Sequence, residues 1–339
     1  MEEALDTNAA EHAAPSLREI EAAAEALAGR TIVTPVVALA SDRIRAHLPP
    51  DSQVAAKLEL FQHAGSFKAP AALLHVDRLD AGARRRGVTA VSAGNHALAV
   101  SWAASRQGVS AKVVMPRTAD PVRIAGCEAL GGEVVLVDDV QVAFAAMERI
   151  VATEGRYAIH PFEGRTTALG TATCGLELMR QLPDLDAVVV PIGGGGLIAG
   201  MSVAIKQIAP KCLVIGVEPE GADSMHRSFA AGTPQAIAKV TTIADSLGAP
   251  FALPYSFALA RAHVDELVRI DDDAMTTAMA LLYDALKIAA EPAAAAATAA
   301  LMGPLREHLA GRRIGVIACG SNIGERKFAD YLGRGRALL

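Results

Sequence analysis

Four consecutive glycines, Gly193-Gly194-Gly195-Gly196, stand between the apolar run Ala187 to Ile192 and the helix-like stretch Leu197 to Ile205. Lacking Cβ atoms, they let successive backbone N–H groups converge, and a helix starting there adds the positive end of its dipole. That combination suits a phosphate. The plainer reading is a Gly-rich turn from a buried strand into a helix, although a turn needs about one or two glycines. A second chemical group is Lys68, in His63-Ala64-Gly65-Ser66-Phe67-Lys68-Ala69-Pro70. Pro70 fits the first turn of a helix, which puts Lys68 at a helix start, an unfavourable place for a permanent cation without an anion or covalent partner. A solvated surface lysine is the alternative. The polar loops Ser92-Ala93-Gly94-Asn95-His96 and Cys319-Gly320-Ser321-Asn322 also follow strand-like runs. Turn chemistry explains each alone, but the coincidence of these loops at strand ends points to one crevice.

The elements that must position these groups alternate in type. A strand over Gln53 to Leu60 precedes the Lys68 helix, which runs through Leu79. Then come Val88 to Val91, a helix over Asn95 to Gln107, Ala111 to Met115, a helix near Pro121 to Leu130, Glu133 to Val137 and a helix over Val140 to Thr153. This alternation predicts an α/β fold of parallel sheets flanked by helices. Residues 86–163 form one compact α/β unit. A second uses the Ala187 strand, Leu213 to Val217, a strand near Val264 to Ile270, two long helices and Arg313 to Ala318. Before all of these, residues 1–16 read as a mobile tail, and Ser16 with Glu19 opens a short helix ending at Gly29.

Composition narrows the function classes. The chain has 339 residues, 52% of them hydrophobic, and a net charge of −5. It is long enough for a large core and two domains. Its dense basic run, Arg84-Arg85-Arg86, reads as a solvated connection, so nucleic acid is not expected as a partner. The acidic start has no apolar segment of a secretory signal, and no stretch reaches the length of a membrane span. The Ala-rich run from Pro292 reads as a packed helix begun by proline. Cys127, Cys174, Cys212 and Cys319 lie far apart, which disfavours a zinc site or disulfide framework and points to a reducing cytoplasm.

The glycine loop admits a competing assignment. Gly194, Gly196 and Ala199 satisfy G-x-G-x-x-A between a strand and a helix, and Glu218 ends the next strand where an acid for a ribose is expected, as in an NAD(P)-binding oxidoreductase. That reading leaves Lys68 and the other two loops without work. Taken together, Gly65-Ser66-Phe67-Lys68, Ser92-Ala93-Gly94-Asn95-His96-Ala97, Gly193-Gly194-Gly195-Gly196-Leu197, Glu218-Pro219, Ile243-Ala244-Asp245 and Cys319-Gly320-Ser321-Asn322 resemble the ordered motifs of fold-type II pyridoxal phosphate enzymes, specifically the threonine/serine dehydratase and serine racemase group. The resemblance runs from about residue 17 to about residue 325.

It implies a two-domain fold like that of the tryptophan synthase β chain: a large cofactor-binding domain of residues 17–85 and 164–339, and a small α/β domain of residues 86–163. Lys68 would carry pyridoxal 5′-phosphate as a Schiff base and act as catalytic base, with Phe67 against the pyridine ring. Gly193, Gly194, Gly195, Gly196 and Leu197 would hold the phosphate. Asn95 would bond the ring hydroxyl, and Ser92, Ala93, Gly94, Asn95 and His96 would receive the substrate. Cys319 would face the ring nitrogen. A neutral thiol there, with an ordinary pKa of about 8.5, cannot keep that nitrogen protonated, which favours rapid loss of a β leaving group.

The implied activity is that of an ammonia-lyase: β-elimination of an L-β-hydroxy amino acid such as threonine or serine to a 2-oxo acid and ammonia. The alternatives are a dehydratase for a 3-hydroxyaspartate-like or phenylserine-like substrate, and a serine racemase. A non-catalytic protein keeping the fold is a third class, and intact Lys68 argues against it. The chain departs from the family pattern at Ala69-Pro70, at Ala168-Leu169-Gly170-Thr171, at Ser246 and at Ala293-Ala294, which leaves the substrate open. The resemblance also implies a divalent or monovalent cation site from Glu218, the Ala222 carbonyl and Ser224; relatives have Asp at the last position, and its loss would weaken the site for Mg²⁺ or Ca²⁺ and leave it to a monovalent ion, to water or empty. It further implies a homodimer and, with no appended regulatory module expected, a catabolic enzyme.

Overall fold

The computed structural model describes residues 13–138 and 140–339, without the side chains of 140 and 141. Of the expected tail, residues 1–12 lie outside the described residues. The strands are β1 (Val36–Ala38), β2 (Gln53–Lys57), β3 (Val88–Val91), β4 (Ala111–Pro116), β5 (Gly132–Val137), β6 (Tyr157–Ala158), β7 (Ala187–Pro191), β8 (Leu213–Pro219), β9 (Glu266–Ile270) and β10 (Arg313–Ile317). They form two sheets, ordered β1-β2-β10-β7-β8-β9 and β5-β4-β3-β6. Every pairing is parallel except β1 on β2. Parallel strands covered by helices are buried on both faces, and β3 and β7 are buried at every residue.

The helices are α1 (Leu17–Leu27), α2 (Asp42–Arg45), α3 (Lys68–Asp77), α4 (Ala81–Arg86), α5 (Asn95–Arg106), α6 (Pro121–Ala129), α7 (Val140–Glu154), α8 (Arg165–Gln181), α9 (Gly196–Ile208), α10 (Ser224–Ala231), α11 (Pro254–His263), α12 (Asp272–Leu286), α13 (Pro292–Met302) and α14 (Glu325–Arg336). The sequence signals locate most of them. Ser16 and Glu19 form a reciprocal capping box at α1, and α13 packs its alanines on the larger sheet. Edge strands β1 and β6 escape the sequence reading because three and two residues carry no periodicity. The strand expected to reach Leu60 stops at Lys57 and turns through a 3-10 segment over Glu59–Phe61.

Helix α8, also not anticipated, positions the chemistry. A Cβ at Gly170 would overlap Ala71 of α3, and one at Gly200 would overlap Thr171 and the Ala168 carbonyl. Glycine at these crossings thus lets α8 approach both the Lys68 helix and the helix that follows the tetraglycine loop. Among the described residues no helix is long and apolar enough to cross a membrane.

Candidate active site

A cavity of about 510 Å³ opens where the loops after β2, β3, β7 and β10 meet. Lys68, the Ser92 to His96 loop, Gly193 to Leu197 and Cys319 all line it. These sequence-selected groups therefore share one space. The Lys68 loop is fastened to the Cys319 loop by backbone bonds from Phe67 N to the Cys319 carbonyl (3.2 Å) and from Ser321 N to the Gly65 carbonyl (3.0 Å).

Lys68 is the first residue of α3. Its Nζ donates to the Pro161 carbonyl (2.5 Å) and lies 4.7 Å from the centre of the Phe67 ring. Enclosure pushes its ammonium down to about 8, against a slight opposing pull from Cys319. The glycine cradle lines the same cavity. A Cβ at Gly194 would overlap the Phe162 ring, and Gly195 has φ +92°, where L side chains are strained. Gly195 also caps α9, whose first-turn N–H groups have no intrahelical acceptor. Thr171 Oγ1 donates to the Gly196 carbonyl (2.8 Å) and Ser256 Oγ to that of Gly194 (3.3 Å), fixing the loop from behind. A cradle open to backbone donors and closed to side chains, with an amine of lowered pKa nearby, fits the phosphate and aldehyde of pyridoxal phosphate. Burial raises the Cys319 thiol well above its ordinary range, so it is neutral.

Asn95 sits in a polar network that the sequence reading did not foresee. Its Nδ2 donates to Glu291 Oε1 (2.6 Å) and to Ser246 Oγ (3.2 Å), and its Oδ1 accepts from Asn322 Nδ2 (2.8 Å). Glu291, 1% exposed, meets Arg123 at 3.3 Å. Arg123, 3% exposed, also grips Asp245 with two bonds of 2.9 and 3.1 Å and donates to the Asn322 carbonyl at 2.6 Å. Burial raises the Glu291 carboxyl, and Arg123 opposes that rise.

In the loop before α5, Ser92 Oγ accepts from Gly94 N (3.0 Å), closing a tight turn. Ala93 presents only a methyl group. His96 is buried, its Nε2 is paired with the Ile159 carbonyl (2.9 Å), and burial holds it neutral by driving its pKa well below the ordinary value. Its Nε2 is thus engaged by the scaffold, and the N–H groups in the first turn of α5 have no intrahelical acceptor.

The residues considered for a cation are arranged as a helix cap. Glu218 accepts from Met225 N (2.9 Å) and His226 N (2.6 Å) in the first turn of α10. Ala222 precedes that helix in a 3-10 turn. Ser224 Oγ is buried with no hydrogen-bond partner, while Asp223 is held by Arg227 and Arg269. Among the described residues no three His, Cys, Asp or Glu side chains gather as metal ligands. One carboxylate already engaged by two N–H groups is a poor match to a divalent ion's demand for several oxygens.

Arg123, Phe144 and Phe162 also line the cavity, with Glu291 behind Asn95. Glu291-Pro292, an acid directly before a helix-starting proline, carried a readable signal. Arg123 and Phe144 carried none, since each sits within an ordinary amphipathic helix.

Residues 28–320 match the family described as pyridoxal-phosphate dependent enzyme. The chain is 54% identical over 286 residues to a phenylserine dehydratase of Ralstonia pickettii, covering 84% of this chain and 88% of that protein. It is 36% identical over 280 residues to an L-threonine ammonia-lyase of Thermotoga maritima, covering 82% and 69%. The structure of maize serine racemase superposes with a TM-score of 0.88 at 32% identity, over 96% of this chain and 99% of that one. A cavity that joins a recessed lysine to a glycine cradle, within a family match spanning most of the sequence, settles the affiliation: the chain belongs to the pyridoxal-phosphate dependent enzymes.

Proposed function

We propose that this cavity carries out β-elimination on L-β-hydroxy amino acids, releasing a 2-oxo acid and ammonia. The observation that carries the reading is the meeting of Lys68, the glycine cradle, the Asn95 loop and Cys319 around one space. The substrates named for the two curated relatives, phenylserine and threonine, are both β-hydroxy amino acids. Pyridoxal phosphate, when bound, supplies an aldehyde that captures the substrate amine and a conjugated ring that accepts the electrons of the Cα–H bond.

The chain's own residues do the rest. Gly193 to Gly196, with the first turn of α9, hold the phosphate, and Leu197 lines the same wall. Asn95 would bond the ring hydroxyl, with Glu291 holding the amide in place. Phe67, which lines the cavity, would pack against the ring. Cys319, as a neutral thiol, would give the ring nitrogen no carboxylate to hold it protonated, so the ring would store little charge and loss of the β-hydroxyl would be favoured. The N–H groups opening α5 take the substrate carboxylate. Lys68, whose ammonium is pushed down to about 8 and so is partly neutral near that pH, removes the Cα proton. Ala93 offers no proton on the face opposite Lys68, which disfavours racemisation.

We assign residues 17–85 with 164–339 to one domain and 86–163 to the other, so that the cavity lies between their sheets. A homodimer is supported by the exposed Ile32, Val33 and Phe61, which two hydrogen bonds between Ile32 and the Gln62 side chain bring together. Four free buried cysteines suit a cytoplasmic setting. The test of the activity is a visible spectrum followed by borohydride reduction and peptide mapping, with 2-oxo acid and ammonia assayed on a panel of β-hydroxy amino acids. The expected result is a yellow protein that reduction labels at Lys68 and that releases both products. A colourless protein, or a label elsewhere, overturns the assignment.

A further inference from the structure

The part of the cavity wall beside Lys68 is aromatic. The Lys68 amine is tied to the Pro161 carbonyl, and the next residue, Phe162, faces the cavity. Phe144, from α7 of the smaller sheet's unit, lines the cavity as well. Phe251, from the segment before α11, packs against both, with ring centres 6.1 Å from Phe144 and 6.0 Å from Phe162 at interplanar angles of 55° and 53°. Tilted rings at this spacing present edges and faces to a further ring. Leu247, Ala249 and Pro250 extend the apolar lining.

Charge points the same way. Among the described residues, the cationic side chains lining the cavity are Lys68 and Arg123. Arg123 is already paired with Asp245 and Glu291, and Lys68 is committed to the reaction. A substrate bearing a second carboxylate would find no free counter-ion on this wall, and a β-methyl group would leave most of it unfilled.

We infer that the preferred substrate carries an aryl group on Cβ, with its ring against Phe144 and Phe162 and with Phe251 buttressing both. This rests on the β-elimination reading and adds the substrate's side chain to it. The Cα–H and Cβ–O bonds break, a Cα=Cβ bond forms, and the proton and hydroxyl leave as water. The released enamine then tautomerises and takes up one water, giving an aryl 2-oxo acid and ammonia. Because the departing hydroxyl is benzylic, the ring also eases cleavage of the Cβ–O bond.

The experiment compares the holoenzyme on L-3-phenylserine, L-threonine, L-serine and L-3-hydroxyaspartate, measuring 2-oxo acid and ammonia. The expected kcat/KM for phenylserine exceeds that for threonine by at least about tenfold, and Phe144→Ala should shrink that ratio about tenfold, the loss of one aromatic contact plus buried area. A second readout needs no turnover: calorimetry with L-phenylalanine, which lacks the leaving group, should show tighter binding than with L-alanine, and Phe144→Ala should narrow the gap. Preference for threonine, serine or hydroxyaspartate, or equal binding of phenylalanine and alanine to the unmodified protein, overturns the aryl site while leaving β-elimination standing. Tighter phenylalanine binding with no 2-oxo acid from any substrate upholds the aryl site and removes the β-elimination reading. The binding comparison on the unmodified chain decides the matter even where Phe144→Ala fails to fold.

Discussion

Replacing Arg123 by methionine removes the cation that holds the wall behind Asn95, and the surroundings set both the size and the pH dependence of the loss. Arg123 joins Asp245, Glu291 and the Asn322 carbonyl. The Asp245 side chain is 37% exposed and regains water when the guanidinium goes, whereas Glu291, 1% exposed, does not. Breaking a buried pair by removing one partner costs about 3–5 kcal/mol. Burial already raises the Glu291 carboxyl and Arg123 is the leading opposing influence, so in the variant the carboxyl keeps its proton to higher pH. Above the ordinary carboxylate value of about 4.3 and below this raised one, the folded state holds one more proton than the unfolded state, and stability falls by up to about 1.4 kcal/mol per pH unit. The deficit relative to the parent is therefore small near about pH 5 and larger at about pH 8. Urea unfolding followed through the single tryptophan, Trp102, measures it, and adding Glu291→Gln should flatten the pH dependence. An equal deficit at both pH values would show that lost packing, and not the stranded carboxyl, accounts for the effect.

Three further outcomes are expected. Ala93→Ser should raise the fraction of D-enantiomer formed from L-serine, measured by chiral chromatography; D-serine accumulating as fast as pyruvate in the unmodified protein would mean that another group delivers the opposing proton. Gly194→Ala forces a Cβ into the Phe162 ring, so cofactor affinity read from a visible-absorbance titration should drop roughly ten- to a hundredfold, the equivalent of about 1–3 kcal/mol of overpacking; unchanged affinity would mean that the loop has another arrangement. Chelator treatment should leave activity and the unfolding midpoint unchanged, because Glu218 already serves the first turn of α10; loss of either would place a cation there.

The sequence exposes the parts of the site that depend on backbone shape and hides those that depend on side-chain meetings. Gly193 to Gly196, Ser92 to His96 and Cys319 follow strands, and a parallel sheet delivers the ends of its strands to one side whatever the intervening helices are. Their convergence was therefore legible. Arg123 and Glu291 are 168 residues apart, and nothing in either local pattern points to the other. His96 shows the converse. Its place in the motif suggests a substrate contact, and it does line the cavity, but that its Nε2 is held by the Ile159 carbonyl is something only the tertiary arrangement supplies. Helix α8 escaped notice because its buried glycines and threonines blur the apolar stripe, and those small residues are what allow α3 and α9 to lie so close.

Phe162 touches both halves of the chemistry, since its ring lies over Gly194 on one side and borders the aromatic wall on the other. A lineage altering its diet could not vary this residue freely, because each change would also loosen the grip on the phosphate. Phe144, on α7, packs its ring on Phe251 and is released from that constraint. Selection in the laboratory for new side-chain preferences should accumulate its first changes at Phe144 and leave Phe162 in place.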